Sequence, residues 1–465
     1  LIIFLKKKYF CINSTFNKDI VLYKRKSWKS DQRFADADTK NLRLIFFALI
    51  VGIVAGLVGS VFRLTLAYIE DFRDNLYQNA DTGGILNWVI PILFAIIGIT
   101  VSLFLVKRFA PEASGSGVQE IEGALDDIRP LRWKRVIPVK FIASLFSLGS
   151  GLLLGREGPT IQLGANVGKM VNDVFKQKKE NINPLVSAGA AAGLASAFNA
   201  PFAGIIFVIE EMHGHFRYNF YSIAAIMVAS GTADFIVRIL VGARPVIEMT
   251  VFQTPNLSGI WLFILLGGFF SLIGYIFNKA LILALDLFKD LSHIAIVLTG
   301  IVGGIIIVCV GAFFPEMIGG GYDTIFKALN HSFTVYVLII LFVGRMILTI
   351  VSYGTGVPGG IFAPMLALGV VFGMLFGAVI EHFLPGLVPH PGVFAVAGMA
   401  GIFASTVRAP LTGLVLAIEM TSNYELILPL IVTKVTASVI TAQLGNEPIY
   451  TTLLKRTLAN NPSSA

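Results

Sequence analysis

The deciding stretch is Pro111-Glu112-Ala113-Ser114-Gly115-Ser116-Gly117-Val118-Gln119-Glu120-Ile121-Glu122-Gly123-Ala124-Leu125, because it returns further along. The second copy reads Pro315-Glu316-Met317-Ile318-Gly319-Gly320-Gly321-Tyr322-Asp323-Thr324-Ile325-Phe326-Lys327-Ala328-Leu329, a shift of 204 positions from Gly115 to Gly319. Two further blocks follow in the same order. Gly155, Pro159 and Gly164 return as Gly360, Pro364 and Gly369, shifted by 205. Ala188-Gly189, Ala195-Ser196, Ala200-Pro201, Gly204 and Ile209-Glu210 return as Ala397-Gly398, Ala404-Ser405, Ala409-Pro410, Gly413 and Ile418-Glu419, shifted by 209. Three ordered blocks at nearly constant offset are not chance. The chain is built from two related halves, and the repeat alone leaves open whether they run parallel or inverted.

Both copies lie among apolar runs. Of 465 residues, 55% are hydrophobic and 14% charged, where a soluble domain carries about 25% charge; mean hydropathy is +0.78. Runs approaching the roughly 20 residues that cross hydrocarbon recur from Leu44 almost to the end. Segments are expected near 44–69, 85–106, 137–154, 160–175, 184–209, 220–242, 260–285, 294–314, 334–353, 359–384, 393–406, 411–432 and 433–444. They are unequal and broken by Gly and Pro, with 46 glycines and 19 prolines in the chain. An unpaired backbone group in lipid costs several kcal/mol, so broken segments belong inside protein or along a wet cavity. That predicts a polytopic all-α transporter or channel whose site lies where the halves meet.

The net charge of +8 is concentrated. Lys6, Lys7, Lys8, Lys24, Arg25, Lys26 and Lys29 crowd the start, and Arg129, Arg132, Lys134 and Arg135 form a second cluster. Beside membrane spans, such clusters mark cytoplasmic segments rather than nucleic-acid sites. Residues 1–5 are apolar and precede lysines, the reverse of a signal peptide's order. The expected organisation is a basic cytoplasmic extension (1–40), a first membrane repeat (41–250), a second (251–448) and a cytoplasmic tail (449–465). Cys11 and Cys309 make neither a disulfide framework nor a metal cluster.

Gly155-Arg156-Glu157-Gly158-Pro159 follows an apolar run and precedes another. Pro159 suits the first turn of a helix. A helix start carries about half a positive charge and unpaired N–H donors, so it attracts an anion. Glu157 could itself occupy those donors and leave on protonation, acting as gate and proton carrier; the bland alternative is a surface Glu at a helix start. In the matching Gly359-Gly360-Ile361-Phe362-Ala363-Pro364, Phe362 replaces the Glu, so that start offers bare amides. Ser116 brings a hydroxyl donor, and no Lys follows as a Walker loop requires.

Glu210, Glu211 and Glu419 end apolar stretches. Intramembrane carboxylates are functional candidates by default, and a carboxyl removed from water holds its proton more readily. The alternative places the pair at the water boundary, capping nothing. Glu120 and Glu122 read as structural. Tyr450 is an anion donor or an interfacial aromatic, and His213 and His215 read as loop residues, not metal ligands. A membrane-embedded enzyme using Glu210 and Glu211 as an acid–base pair lacks any accompanying His, Ser or metal-ligand set, so no enzyme and no cofactor are expected.

Gly-Ser-Gly at 115–117, Gly-Arg-Glu-Gly-Pro at 155–159, Gly-Gly-Ile-Phe-Ala-Pro at 359–364 and the late Tyr450 together resemble the CLC family of chloride channels and chloride/proton antiporters, over about Leu44 to Leu458. The resemblance implies two inverted-topology repeats of tilted, broken helices, a homodimer with one pathway per subunit in the lipid bilayer, and both termini in the cytoplasm. It implies that Ser116, Tyr450 and the amides of Ile361 and Phe362 hold chloride. It makes Glu157 the external gate, Glu211 the internal proton acceptor and Glu210 a support for the proton path. A carboxylate at 211 resembles antiporters, so proton-coupled chloride exchange is expected, with a passive chloride channel as the alternative. Many members read Ile-Pro after Gly-Ser-Gly where Val118-Gln119 stand here. Ending at Ala465, without the paired nucleotide-sensing domains of many eukaryotic relatives, the chain is expected to be a bacterial inner-membrane protein.

Overall fold

The computed structural model describes residues 31–460 apart from His213, Arg217, Glu248, Thr250, Val251, Asp290, His331 and Ser332. The basic cluster before Asp31 and His213 therefore lie outside the described residues. The chain divides into two units, 1–46 and 47–465. The described part of the first is helical, and the second carries the features below.

Seventeen α-helices form among the described residues. The first eight are α1 (Asp31–Gly83), α2 (Val89–Phe109), α3 (Val118–Leu125), α4 (Trp133–Gly149), α5 (Glu157–Val174), α6 (Ile182–Phe198), α7 (Pro201–Glu211) and α8 (Phe220–Leu240). The next eight repeat the order: α9 (Trp261–Leu287), α10 (His293–Phe313), α11 (Tyr322–Asn330), α12 (Val335–Gly354), α13 (Phe362–Phe383), α14 (Gly392–Thr406), α15 (Pro410–Thr421) and α16 (Ile427–Gln443). Helix α17 (Ile449–Asn460) closes the described chain. The all-α expectation holds: these residues contain no strand, only isolated bridges between Gly115 and Pro358 and between Gly155 and Gly360.

Several boundaries differ from the hydropathy reading. The apolar run 184–209 is two helices, because Asn199 turns left-handed (φ 52°) and Pro201 starts a new helix. Arg408 (φ 63°) and Pro410 repeat that break 209 positions later. The expected division at 432/433 lies instead at Ser422, also left-handed (φ 52°), where polar residues stop α15. Helix α1 continues past 69 to Gly83 on polar residues that hydropathy alone excludes.

Among the described residues, seven helical segments are long and apolar enough to cross a membrane: those at 42–83, 85–109, 220–240, 257–287, 293–313, 335–354 and 362–383. The shorter elements are held inside protein, with α6 and α14 buried along nearly their whole length, as broken segments in lipid require. Helix α5 packs on α6 and α13 on α14. Both contacts need glycine: a Cβ on Gly189 would come within 2.1 Å of the Gly164 carbonyl oxygen, and one on Gly398 within 2.1 Å of that of Gly369.

A reciprocal pair of carboxylates settles how the halves run. Glu210, at the end of α7, accepts from the Leu411 and Thr412 amides at the start of α15 (2.8 and 2.7 Å). Glu419, near the end of α15, accepts from the Phe202 and Ala203 amides at the start of α7 (3.1 and 2.6 Å). Each carboxylate neutralises the positive end of the other helix. Equivalent helices therefore lie side by side in opposite directions, as inverted repeats demand.

Candidate functional site

The site begins where three loops are sewn together by backbone hydrogen bonds. Gly155 and Gly360 exchange both of theirs, each 2.7 Å; Gly115 donates to Val357 O (3.2 Å) and Gly359 donates to Gly115 O (3.0 Å). This brings together the starts of α5 and α13, one from each half. A Cβ on Gly158 would sit 2.5 Å from Ser116 Oγ and 3.0 Å from Gly360 Cα, so only glycine permits the approach. The first-turn amides of a helix have no carbonyl behind them, and two such ends facing one locus make an anion-attracting centre.

The Ser116 turn is shaped from behind. Gly115 (φ 59°) and Gly117 (φ 87°) take left-handed conformations that glycine adopts freely. Lys140, fully buried in α4, donates to the carbonyls of Ala113 (2.9 Å), Gly115 (2.7 Å) and Ser116 (3.3 Å). In a trans peptide the N–H points opposite the C=O, so gathering carbonyls on one side turns the amide side of the loop inward. The Ser116 amide donates to Tyr353 Oη (3.3 Å).

Two hydroxyls are buried there side by side, Ser116 Oγ and Tyr450 Oη, with no partner beyond one another among the described residues. Tyr450, at the start of α17, is not an interfacial aromatic. It is fully enclosed beside Ser116, and its ring stacks on Phe362 with centroids 6.0 Å apart and planes 25° apart. Phe207 and Phe403 close around Phe362 at 5.6 and 4.9 Å. Orphaned buried donors cost stability unless something accepts from them. Beside the helix-start amides, these hydroxyls can donate to a small anion.

Glu157 is fully buried at the first position of α5. One carboxylate oxygen accepts from the Ala363 amide in the first turn of α13 (3.4 Å); the other accepts from the Tyr322 hydroxyl. The surface reading of Glu157 is excluded, and the carboxylate lies against the first-turn amides of α13. Beyond Tyr322 opens a cavity of about 640 Å³, lined among others by Arg63, Glu70, Arg156 and Tyr322.

At the far end of α7 the two glutamates part company. Glu210 is committed to capping α15, which rules out the alternative that it caps nothing. Glu211 has Glu122 and Glu210 as its charged neighbours. Glu120 is paired with Arg129 (2.9 Å), a structural role, whereas Glu122 is buried with one carboxylate oxygen unpartnered. His215 contacts Asp126 at 2.6 Å. Sequence reading overlooked Tyr322, Lys140 and the nearness of Glu122 to Glu211. The repeat held a signal for Lys140: Arg345 occupies the position 205 residues later.

The family model described as "Voltage gated chloride channel" matches residues 98–442. The chain belongs to the CLC family. A CLC protein of Vibrio vulnificus (strain YJ016), named "H(+)/Cl(-) exchange transporter ClcA", is 46% identical over 434 residues, 92% of this chain and 93% of that one. The protein of the same name from Vibrio campbellii (strain ATCC BAA-1116) is 47% identical over 423 residues, 90% of each chain. Among solved CLC structures, that of a slow cyanobacterial Cl-/H+ antiporter superposes with a TM-score of 0.87 at 40% identity, covering 90% of this chain and 98% of that one. A eukaryotic CLC transporter, at 21% identity and a TM-score of 0.73 over 89% of this chain and 74% of that one, shares the fold.

Proposed function

We propose that this chain is a secondary active antiporter that exchanges chloride for protons. The observation that carries the reading is the Glu157 carboxylate accepting from the Ala363 amide at the start of α13. Two anions, a tethered carboxylate and a free chloride, then compete for one set of dipoles. Chloride is held by the hydroxyls of Ser116 and Tyr450 and the amides of Ile361 and Phe362. A proton on Glu157 abolishes its negative charge, the side chain leaves the amides, and chloride passes. The proton continues to Glu211, with Glu122 nearby and Glu210 supporting the path by fixing the end of α7. No covalent step is involved. The relatives named for H(+)/Cl(-) exchange support this choice over a passive channel.

The chain acts as a homodimer with one pathway per subunit, in a bacterial inner membrane, with both termini in the cytoplasm. Residues 41–250 and 251–448 form the repeats, 1–40 and the segment from 449 lie on the cytoplasmic side, and Tyr450 reaches inward from there.

The test is flux in reconstituted vesicles. An imposed chloride gradient drives protons uphill in an antiporter; chloride movement with no accompanying protons assigns the passive channel instead.

A further inference from the structure

Tyr322 belongs to neither the anion donors nor the proton path above, yet it is the side chain that touches Glu157 from the cavity. It occupies the first position of α11, directly after Gly319-Gly320-Gly321. That turn is anchored on the opposite half, since the Gly319 amide donates to Gly151 O (2.8 Å). Gly321 is left-handed (φ 104°), and a Cβ there would strike Ala367 and Arg345, both at 2.6 Å, so the start of α11 has little freedom. The Arg156 guanidinium lies over the Tyr322 ring, 4.6 Å from its centroid. A cation on the ring face is attracted to it and clamps the phenol between the start of α5 and the cavity.

The repeat sharpens the point. Position 322 corresponds to Val118, and Gly320 to Ser116. The first half delivers its hydroxyl at Ser116, on the chloride side; the second half lacks that serine and delivers one two residues later, onto the carboxylate. The Glu157 carboxylate thus accepts from the Ala363 amide on one oxygen and from a phenol on the other. Hydrogen bonds to a charged acceptor are the strong kind.

We infer that Tyr322 is a positioning residue that latches the Glu157 carboxylate closed and thereby sets the pH at which the gate opens. The inference rests on Glu157 being the gate. The charged groups around the latch include Arg63, Glu70, Arg73 and Asp74 of α1, Arg156, and Asp323 beside it. None supplies a hydrogen bond to the carboxylate; Tyr322 and Ala363 do.

Tyr322→Phe removes the donor and keeps the ring beneath Arg156. In the purified full-length protein, chloride binding measured by calorimetry at pH 7.5 should tighten about tenfold, because the competing carboxylate loses a charged-acceptor bond. In vesicles of phosphatidylethanolamine and phosphatidylglycerol, chloride turnover should rise several-fold and its activation by acid should begin at higher pH. In a Glu157→Ala background, the same substitution should change neither affinity nor pH profile. Parent-like affinity and pH profile in Tyr322→Phe overturn the latch while leaving the gate intact. An effect of equal size in the Glu157→Ala background also overturns it, since Tyr322 then acts elsewhere. If Glu157→Ala itself behaves as the parent, the gate and the latch fall together.

Discussion

Lys140 and Arg345, 205 positions apart and both fully buried, do the same work in the two halves. Lys140 collects the carbonyls of Ala113, Gly115 and Ser116. Arg345 collects those of Glu316 (2.7 Å) and Gly319 (3.0 Å) and also donates to Thr324 Oγ1 (2.9 Å). Each cation lies within an apolar helix and compensates its own burial by binding the oxygens of a Pro-Glu-x-x-Gly turn. A buried cation is tolerated only when so satisfied. The loops that present hydroxyls to the centre are shaped by these two residues.

Lys140→Met keeps the stem and removes the charge, leaving three carbonyls without their donor. We expect a loss of about 2–4 kcal/mol of stability, read as a lower Tm in detergent. Because the Ser116 turn relaxes, added chloride should raise Tm less than in the parent, since stabilisation by a ligand follows its affinity.

On the proposed exchange mechanism, Glu157→Gln removes the charge that competes with chloride while keeping the size. Chloride flux in vesicles should continue, proton movement should stop, and flux should lose its rise towards acid pH. The sign follows from the site: in the parent, protonation neutralises the carboxylate and frees the amides of α13, so acid speeds chloride. Retained proton coupling would sink the gate.

Glu211→Gln acts at the other end of the proposed proton path and should separate the two fluxes. Proton movement should disappear and chloride movement remain. Unlike the Glu157 variant, it should still respond to pH, because the gate carboxylate is untouched. Uphill protons in this variant would clear Glu211 of its role.

Ser116→Ala and Tyr450→Phe each delete one orphaned hydroxyl. A neutral hydrogen bond contributes about 0.5–1.5 kcal/mol net, so each should weaken chloride binding by roughly three- to tenfold. The double variant tests coupling: two hydroxyls on one ion should give a loss that departs from the sum. Unchanged affinity in both would remove them from the chloride site.

Much of this was written in the one-dimensional chain. The repeat blocks, the glycines before Glu157 and Phe362, and the density of apolar runs are local or periodic signals, and they fixed a two-fold helical membrane architecture with anion-attracting helix starts at its middle. They also singled out Ser116, Glu157, Glu211 and Tyr450, which the resemblance gathered into one pathway. What stayed hidden was whatever depends on facing. Glu210 and Glu211 are neighbours of the same type, and only the antiparallel contact of α7 with α15 commits the first to a cap and leaves the second among carboxyls. Tyr322 reads as an ordinary residue at a helix start until the fold lays it against Glu157, 165 positions away. Sequence determines which groups a chain owns and how its helices break. Which donor meets which acceptor is decided by packing between the halves, because a hydrogen bond depends on distances of about 3 Å that separation along the chain does not encode.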